Sequence, residues 1–518
     1  MERVCGESAA PPGGTWINLN QLQSSNHSPV RASVRGNAGF GRAEGRIQAW
    51  GTGDRSDEFA VPGVQRTTLA ECGRIRLSSE GHAGDTIRVH RKARPILIRR
   101  SLALLALLVP LTANGQSIPR RPFPQHVQYA PGTVRPSHRT QAQQDQDVRN
   151  YYDAWKRSFL LEAGTAPDGS ALYRVSYGSA NPGRTVSEGQ GYGMMITAWM
   201  AGYDPRAQNY FDGLWKFSRR YPSRIDSRLM TWQIPIVAQD DSSAFDGDSD
   251  IAYALLLADL QWGSDGPLDY RGAALHVIAG ILGSTIGPQS RLPMLGDWIN
   301  PNGEAHNQWT TRSSDFMPTH FRLFGQLTGD PVWARVIAET QSVINTIHMN
   351  FSPVTGLLPD FIVPTSATDR SPKPAGPNFL EGTADGAYFY NAGRVPWRLG
   401  SDALLNGDPI SLMQTRKITQ WIRTATGGDP QAINQGYNLN GSPLPDGNFF
   451  SILFAAPFAV AAMTDPSQQE WLNDLYDAVY DTHDDYYEDT VTLLSMIVIT
   501  GNSWPGNQVP ARRRAVRR

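Results

Sequence analysis

Cysteine is nearly missing from this 518-residue chain: Cys5 and Cys72 are the two present, and nothing after residue 116 carries a thiol. The main body therefore has neither a disulfide scaffold nor a cysteine-ligated zinc site, while export to an oxidising compartment stays open. An excess of positive charge is missing too. Residues 117–511 hold 27 basic against 39 acidic residues, a net of −12, which argues against a nucleic-acid binder and fits an exported enzyme or a cationic substrate. Gly-x-Ser-x-Gly, His-Glu-x-x-His and Gly-x-x-x-x-Gly-Lys-Ser/Thr patterns are absent, so nucleophile-elbow, zincin and P-loop chemistries gain no support.

What is present divides the chain. Residues 91–116 read RKARPILIRRSLALLALLVPLTANGQ, a basic cluster, an apolar run from Leu102 to Leu111 and then small residues. The run is about half of the roughly 20 residues that cross a bilayer, so the pattern predicts a signal peptide over 91–115, cut before Gln116. The alternative is an N-terminal extension with a short membrane anchor. Residues 1–90, rich in Gly, Ser and Arg without periodicity, read as disordered or as an over-extended gene start. The expected order is then a linker over 116–145, a catalytic domain over 146–507 and a basic tail over 508–518.

From about Asp145 the pattern is helical segments joined by Gly/Pro/Asn-rich loops. Helical runs are predicted at 192–203, 207–220, 272–282, 332–349, 410–425, 468–480 and 489–500. In DIAYALLLADLQW, Ile251, Ala254, Leu255 and Ala258 fall at helical spacing, with Asp248 or Ser249 placed to cap the start. No alternation of strands with helices emerges. The fold class expected is all-α, in a closed arrangement larger than a four-helix bundle.

Three carboxylate-bearing segments lie among glycines and aromatics rather than on charged helix faces. In VSEGQGYGMM, glycines around Glu188 let backbone and substrate approach closely, and the apolar residues beyond can desolvate its carboxyl, raising its pKa as a general acid requires. Glu188 equally suits a helix N-terminus, where it would support the dipole. In AFDGDSDIAY, Asp246, Asp248 and Asp250 alternate, but the 12-residue spacing ending in Glu of a calcium loop is missing, so no metal is assigned. One aspartate can face a sugar while another caps the helix. The third segment, PNFLEGTADGAYFYNAGRVPWR, gathers Glu381, Asp385, Tyr390, Asn391 and Arg394. Aromatic rings stack on the apolar faces of sugars, and Tyr192, Trp232, Trp298, Trp309 and Tyr390 are candidates, although any one ring is more often core than subsite.

Taken in order, SEGQGYGMM, FDGDSDIAYALLLADLQWG, LGDW, RSSDFM, TGLLPDF, NFLEGTADGAY, YNAGRVPWR and DYYEDTVTLLSMIV resemble family 8 glycoside hydrolases over roughly 150–505. The resemblance implies an (α/α)6 barrel with an open cleft, and hydrolysis with inversion at the anomeric carbon. Glu188 matches the general acid. Asp246 matches the aspartate that grips and distorts the sugar at the cleavage point, with Phe245 departing from the usual Ser or Thr before it. Asn391 stands where many members carry the base aspartate, and an amide cannot accept that proton. In the branch resembling chitosanases and licheninases this position is likewise Asn, and a glutamate ten residues earlier takes over. Here that is Glu381, with Asp385 the fallback.

The expectation is a secreted, inverting endo-glycosidase of a β-linked glucan or chitosan. Its catalytic residues are Glu188, Glu381 and Asp246, and its substrate contacts Tyr192, Trp232, Asp248, Trp298, Asp315, Asp385, Tyr390, Asn391 and Arg394. No cofactor is expected, the partner is a polysaccharide, and a monomer without stable membrane association after processing is anticipated. A non-catalytic carbohydrate-binding protein on the same fold and a xylan-acting hydrolase are the alternatives.

Overall fold

The computed structural model describes residues 117–504 apart from Asp446. Both cysteines, the expected signal segment, the upstream stretch and the basic tail lie outside the described residues. Twelve α-helices alternate between two rings. They are α1 (Gln141–Phe159), α2 (Ser187–Trp199), α3 (Ala207–Arg220), α4 (Phe245–Trp262), α5 (Tyr270–Ser284), α6 (Pro318–Thr328), α7 (Val332–Asn350), α8 (Val395–Asn406), α9 (Pro409–Ala425), α10 (Ile452–Ala462), α11 (Gln469–Val479) and α12 (Tyr486–Ile499). The even-numbered helices touch one another in sequence, and α12 closes the ring on α2. Each odd-numbered helix packs outside one of them, α3 on α2 and α1 on α12 for example. This is an (α/α)6 barrel, as the sequence predicted.

The inner helices explain what sequence periodicity could and could not find. In α10, ILFAAPFAVAA, every residue is buried, so no polar face marks a 3.6-residue rhythm, and Pro457 interrupts it further. Neither α10 nor the short, proline-initiated α6 and α8 was expected. Small antiparallel strands appear where loops were expected. β1 (Leu160–Thr165) pairs with β2 (Ala171–Val175), β3 (Thr185–Val186) with β4 (Gln233–Ile234), and β5 (Thr311–Arg312) with β6 (Phe361–Pro364), which also takes β7 (Pro372–Pro374). Their registers matter: Val186 opposite Gln233 anchors the entry to α2, and Arg312 opposite Phe361 sets the guanidinium over the Phe361 ring, 5.9 Å from its centroid.

The expected linker is also corrected. Residues from Ser117 onward lie against the barrel, and their backbone amides reach the C-terminal ends of five inner helices. Arg120 donates to the Gln261 carbonyl (2.8 Å), Phe123 to Ala201 (2.7 Å), Val127 to Gly501 (2.7 Å), Ala130 to Leu404 (2.8 Å) and Val134 to Met463 (2.8 Å). Carbonyls at a helix C-terminus lack intrahelical partners, so this strap satisfies groups the barrel leaves open. Helix α1 follows directly, opened by a capping box between Thr140 and Gln143.

Because every inner helix runs the same way, their N-termini converge at the opposite mouth. The positive ends of six helix dipoles face it, an environment that favours carboxylates. Close approach of α2 and α4 there needs glycine: a Cβ on Gly191 would lie 2.6 Å from the Asp250 Cβ, and one on Gly247 2.6 Å from the Ser187 carbonyl carbon. Gly191 and Gly247 thus serve packing of α2 against α4.

Candidate active site

Apart from Glu381, the functional side chains stand at or just before the starts of inner helices. Glu188 is the second residue of α2 and Asp246 the second of α4; Ser314 and Asp315 form the 3-10 turn before α6, and Arg394 closes the turn before α8. Arg394 is wholly buried and ties these starts together. Its Nη1 contacts Glu188 Oε2 and donates to Asp246 Oδ2 (2.9 Å) and Tyr192 Oη (3.1 Å). Its Nη2 donates to Ser314 Oγ (2.8 Å) and Asn391 Oδ1 (3.0 Å). One turn along both helices, Arg398 grips Asp250 with two nitrogens at 2.8 and 2.7 Å, locking α4 to α8 beneath the site.

The carboxyls differ in charge state for stated reasons. Burial pushes Glu188 up to about 7; Arg394 pulls it down and Asp246 pushes it further up. Burial would also raise Asp246, but Arg312 and Arg394, with hydrogen bonds from Arg394 and the Gly247 amide, outweigh it and hold Asp246 well below the usual carboxylate range. Arg312 Nη1 lies 3.3 Å from Asp246 Oδ2. Tyr486, the first residue of α12, places its hydroxyl 3.4 Å from the other Glu188 oxygen. A Cβ on Gly189 would sit 2.4 Å from that hydroxyl, so glycine next to Glu188 is what admits it.

Opposite lies the loop that carries Glu381. Asp385 accepts the backbone amides of Leu380 (2.7 Å), Glu381 (3.0 Å) and Gly382 (2.9 Å), so both of its oxygens are engaged in shaping the loop. Glu381 projects from it and accepts a hydrogen bond from Asn391 Nδ2 at 2.9 Å. Burial raises the Glu381 pKa, against the pull of Arg312 and the Asn391 hydrogen bond. The two glutamates are linked through a guanidinium and an amide: Glu188 to Arg394, Arg394 to Asn391, Asn391 to Glu381.

Other expected contacts separate into two groups. Trp298 is 38% exposed and offers its ring to solvent against His306 (5.4 Å between centroids). Trp232 is half-buried, fixed by its Nε1 to Asp240 (2.8 Å) and stacked under Arg184. Tyr390, also half-buried, packs on Phe454 and Tyr487. By contrast Tyr192, Asp248 and Asp315 are fully buried, and their neighbours are protein groups. Tyr192 supports Arg394. Asp248 accepts the Met230 amide (2.8 Å) instead of capping α4, which starts three residues earlier at Phe245. Asp315 lies 3.7 Å from Arg312 Nε with both oxygens unbonded, and burial pushes it up to about 7. Arg312, Ser314, Asp360 and Tyr486 were not singled out. Each lies within or beside a recognised motif, but a motif does not say which member points inward.

A closed double ring of helices with acidic groups gathered at one mouth is the architecture of a carbohydrate-cleaving barrel. Residues 139–501 match the glycosyl hydrolases family 8 profile, and the chain belongs to that family and is a glycoside hydrolase. It is 42% identical to a β-glucanase of Niallia circulans over 78% of this chain and 96% of the relative. With an endoglucanase of Bacillus sp. strain KSM-330 it shares 37% identity over 74% of this chain and 82% of that one. Among solved structures, the apo β-1,3-1,4-glucanase of Paenibacillus sp. X4 superposes with a TM-score of 0.70 at 42% identity, covering 75% of this chain and all of that one. A Teredinibacter turnerae xylanase of the family shares the fold at 19% identity, TM-score 0.60, over 71% and 95% of the two chains.

Proposed function

We propose that this chain is an exported, inverting endo-β-glucanase that cleaves β-1,3-1,4- or β-1,4-linked glucan. The observation that carries the reading is the Glu188–Arg394–Asn391–Glu381 linkage, which holds two carboxyls apart on either side of one arginine. An inverting glycosidase keeps its acid and base about 6.5–9.5 Å apart so that water fits beneath the anomeric carbon. Glu188 carries the proton to the leaving oxygen: burial holds it protonated into the neutral range. Glu381 takes a proton from the attacking water, and Asn391, unable to be the base itself, orients Glu381. Asp246 stays ionised between two arginines and stabilises the positive charge that grows on the sugar. The three backbone amides that Asp385 accepts argue against it as the base. Chitosanase and licheninase branches that use a glutamate in this way are the sequence precedent for the assignment.

The substrate is argued from a relative named as a β-glucanase and a solved β-1,3-1,4-glucanase, each at 42% identity, and from an endoglucanase at 37%, whereas the structures named as xylanases share 19%. Purified enzyme assayed side by side on lichenan, carboxymethylcellulose, xylan and chitosan tests it. Highest kcat/KM on lichenan or carboxymethylcellulose is expected, and preference for xylan or chitosan overturns the substrate. Export rests on the 91–116 pattern, with maturation near Gln116. N-terminal mass analysis of exported protein should find that start, and an intact Met1 in the culture fluid contradicts it.

A further inference from the structure

Asn391 is more constrained than a water-holding amide needs to be. Its carbonyl oxygen faces two cations, Arg394 Nη2 at 3.0 Å and Arg312 Nη1 at 3.5 Å. Its nitrogen faces two carboxylates, Glu381 Oε2 at 2.9 Å and Asp360 Oδ2 at 3.4 Å. An amide has two donor hydrogens and two acceptor lone pairs, so this surrounding uses all four. The flipped amide would set oxygen against carboxylates and nitrogen against guanidiniums, so only one orientation is allowed.

Asp360 does more than occupy one of those positions. It is 3% exposed, and it accepts the backbone amides of Phe389 (3.0 Å), Asn391 (3.2 Å) and Ala392 (2.7 Å), gripping the turn that presents Asn391. Its own carbonyl takes the Ser313 amide (3.1 Å), beside the turn that carries Ser314. We propose that Asp360 is a positioning residue for the catalytic base: it fixes the direction of the Asn391 amide, and that amide in turn keeps Glu381 ionised and aimed at the water. The inference rests on Glu381 being the base.

A donor hydrogen bond to Glu381 favours its charged form, so losing or misdirecting the Asn391 amide raises the Glu381 pKa. The acid limb of kcat/KM then moves to higher pH. A shift of one unit appears as about tenfold lower kcat/KM at pH 5 relative to neutral pH. Asn391→Ala, which changes no charge, should give this shift with KM nearly unchanged. Asp360→Asn removes a like charge that pushes Glu381 up as well as the acceptor that directs Asn391, so the shift it causes should be more upward in the wild-type background than in Asn391→Ala. Should Asp360→Asn fail to fold, Asp360→Glu, which keeps the charge and displaces the acceptor, should move the limb up. An unmoved acid limb in Asn391→Ala, or equal shifts by the Asp360 substitution in the two backgrounds, overturns the proposal. Glu381→Gln measured alongside separates the two levels. Near-wild-type activity there removes the base and this inference together, whereas a large loss there with an unmoved limb removes the inference alone.

Discussion

Asn391 Nδ2 donates to Glu381 Oε2 at 2.9 Å, across ten residues of chain that leave the loop, pass Asp385 and return through the Tyr388–Tyr390 aromatics. The contact turns an apparent loss, an amide at the position where many relatives carry a base, into support for a different carboxylate.

Glu188→Gln keeps the shape of the acid but cannot donate its proton. General acid catalysis is typically worth roughly 10²–10⁴-fold, so kcat on lichenan should fall by that order while KM changes little. A variant within a few-fold of wild type removes Glu188 from the role.

The same substitution has a stability signature. Glu188 is pushed up to about 7 when folded, so the folded state binds its proton more tightly than the unfolded chain. That preference is fully present below the unfolded value near 4.5 and is lost as pH rises through about 7. Above pH 7 the ionised, buried carboxyl weighs against folding, on the order of 1–3 kcal/mol. Glu188→Gln should therefore raise Tm relative to wild type at pH 8, with the difference shrinking towards pH 4. A pH-independent difference contradicts the buried, proton-binding environment.

The activity profile should be a bell. Glu188 must be protonated, so kcat/KM falls as pH rises through about 7. Glu381 must be ionised, and burial raises its pKa, so the acid limb should lie above the ordinary glutamate value of roughly 4.3. Initial rates on a soluble β-glucan across pH 4–9 test both limbs. An alkaline limb two units higher speaks against Glu188 as the acid.

Asp385→Asn should separate loop support from chemistry. Its carboxylate bonds three amides, and removing one acceptor of a buried hydrogen bond typically costs about 1–3 kcal/mol. Thermal unfolding should show that loss. The kcat of the variant should remain well above that of Glu381→Gln, and the reverse ranking would return the base to Asp385.

Much of this was legible in the sequence, unevenly. The motif order implied the barrel, and it singled out Glu188, Asp246, Glu381 and Arg394, which the structure links through Arg394 and Asn391. Helix α10 was not legible, because a helix apolar on every side has no periodicity to detect. The burial of Tyr192, Asp248 and Asp315 was not legible for a related reason: proximity in sequence to a reactive group does not say which way a side chain points. Asp360 escaped because its partners, Phe389 to Ala392, lie about thirty residues away and meet it where the Asp360 amide donates to the Ala387 carbonyl.

The central claim, a water activated by Glu381 opposite the acid Glu188, is tested most directly by azide rescue of Glu381→Ala on an aryl β-glucan oligosaccharide. With the base carboxylate removed, azide can enter the space of the water and needs no deprotonation. The account predicts that hydrolysis falls by orders of magnitude, that azide restores turnover, and that the product is the α-configured glycosyl azide. Hydrolysis near the wild-type rate without azide, or a β-configured azide, would contradict it.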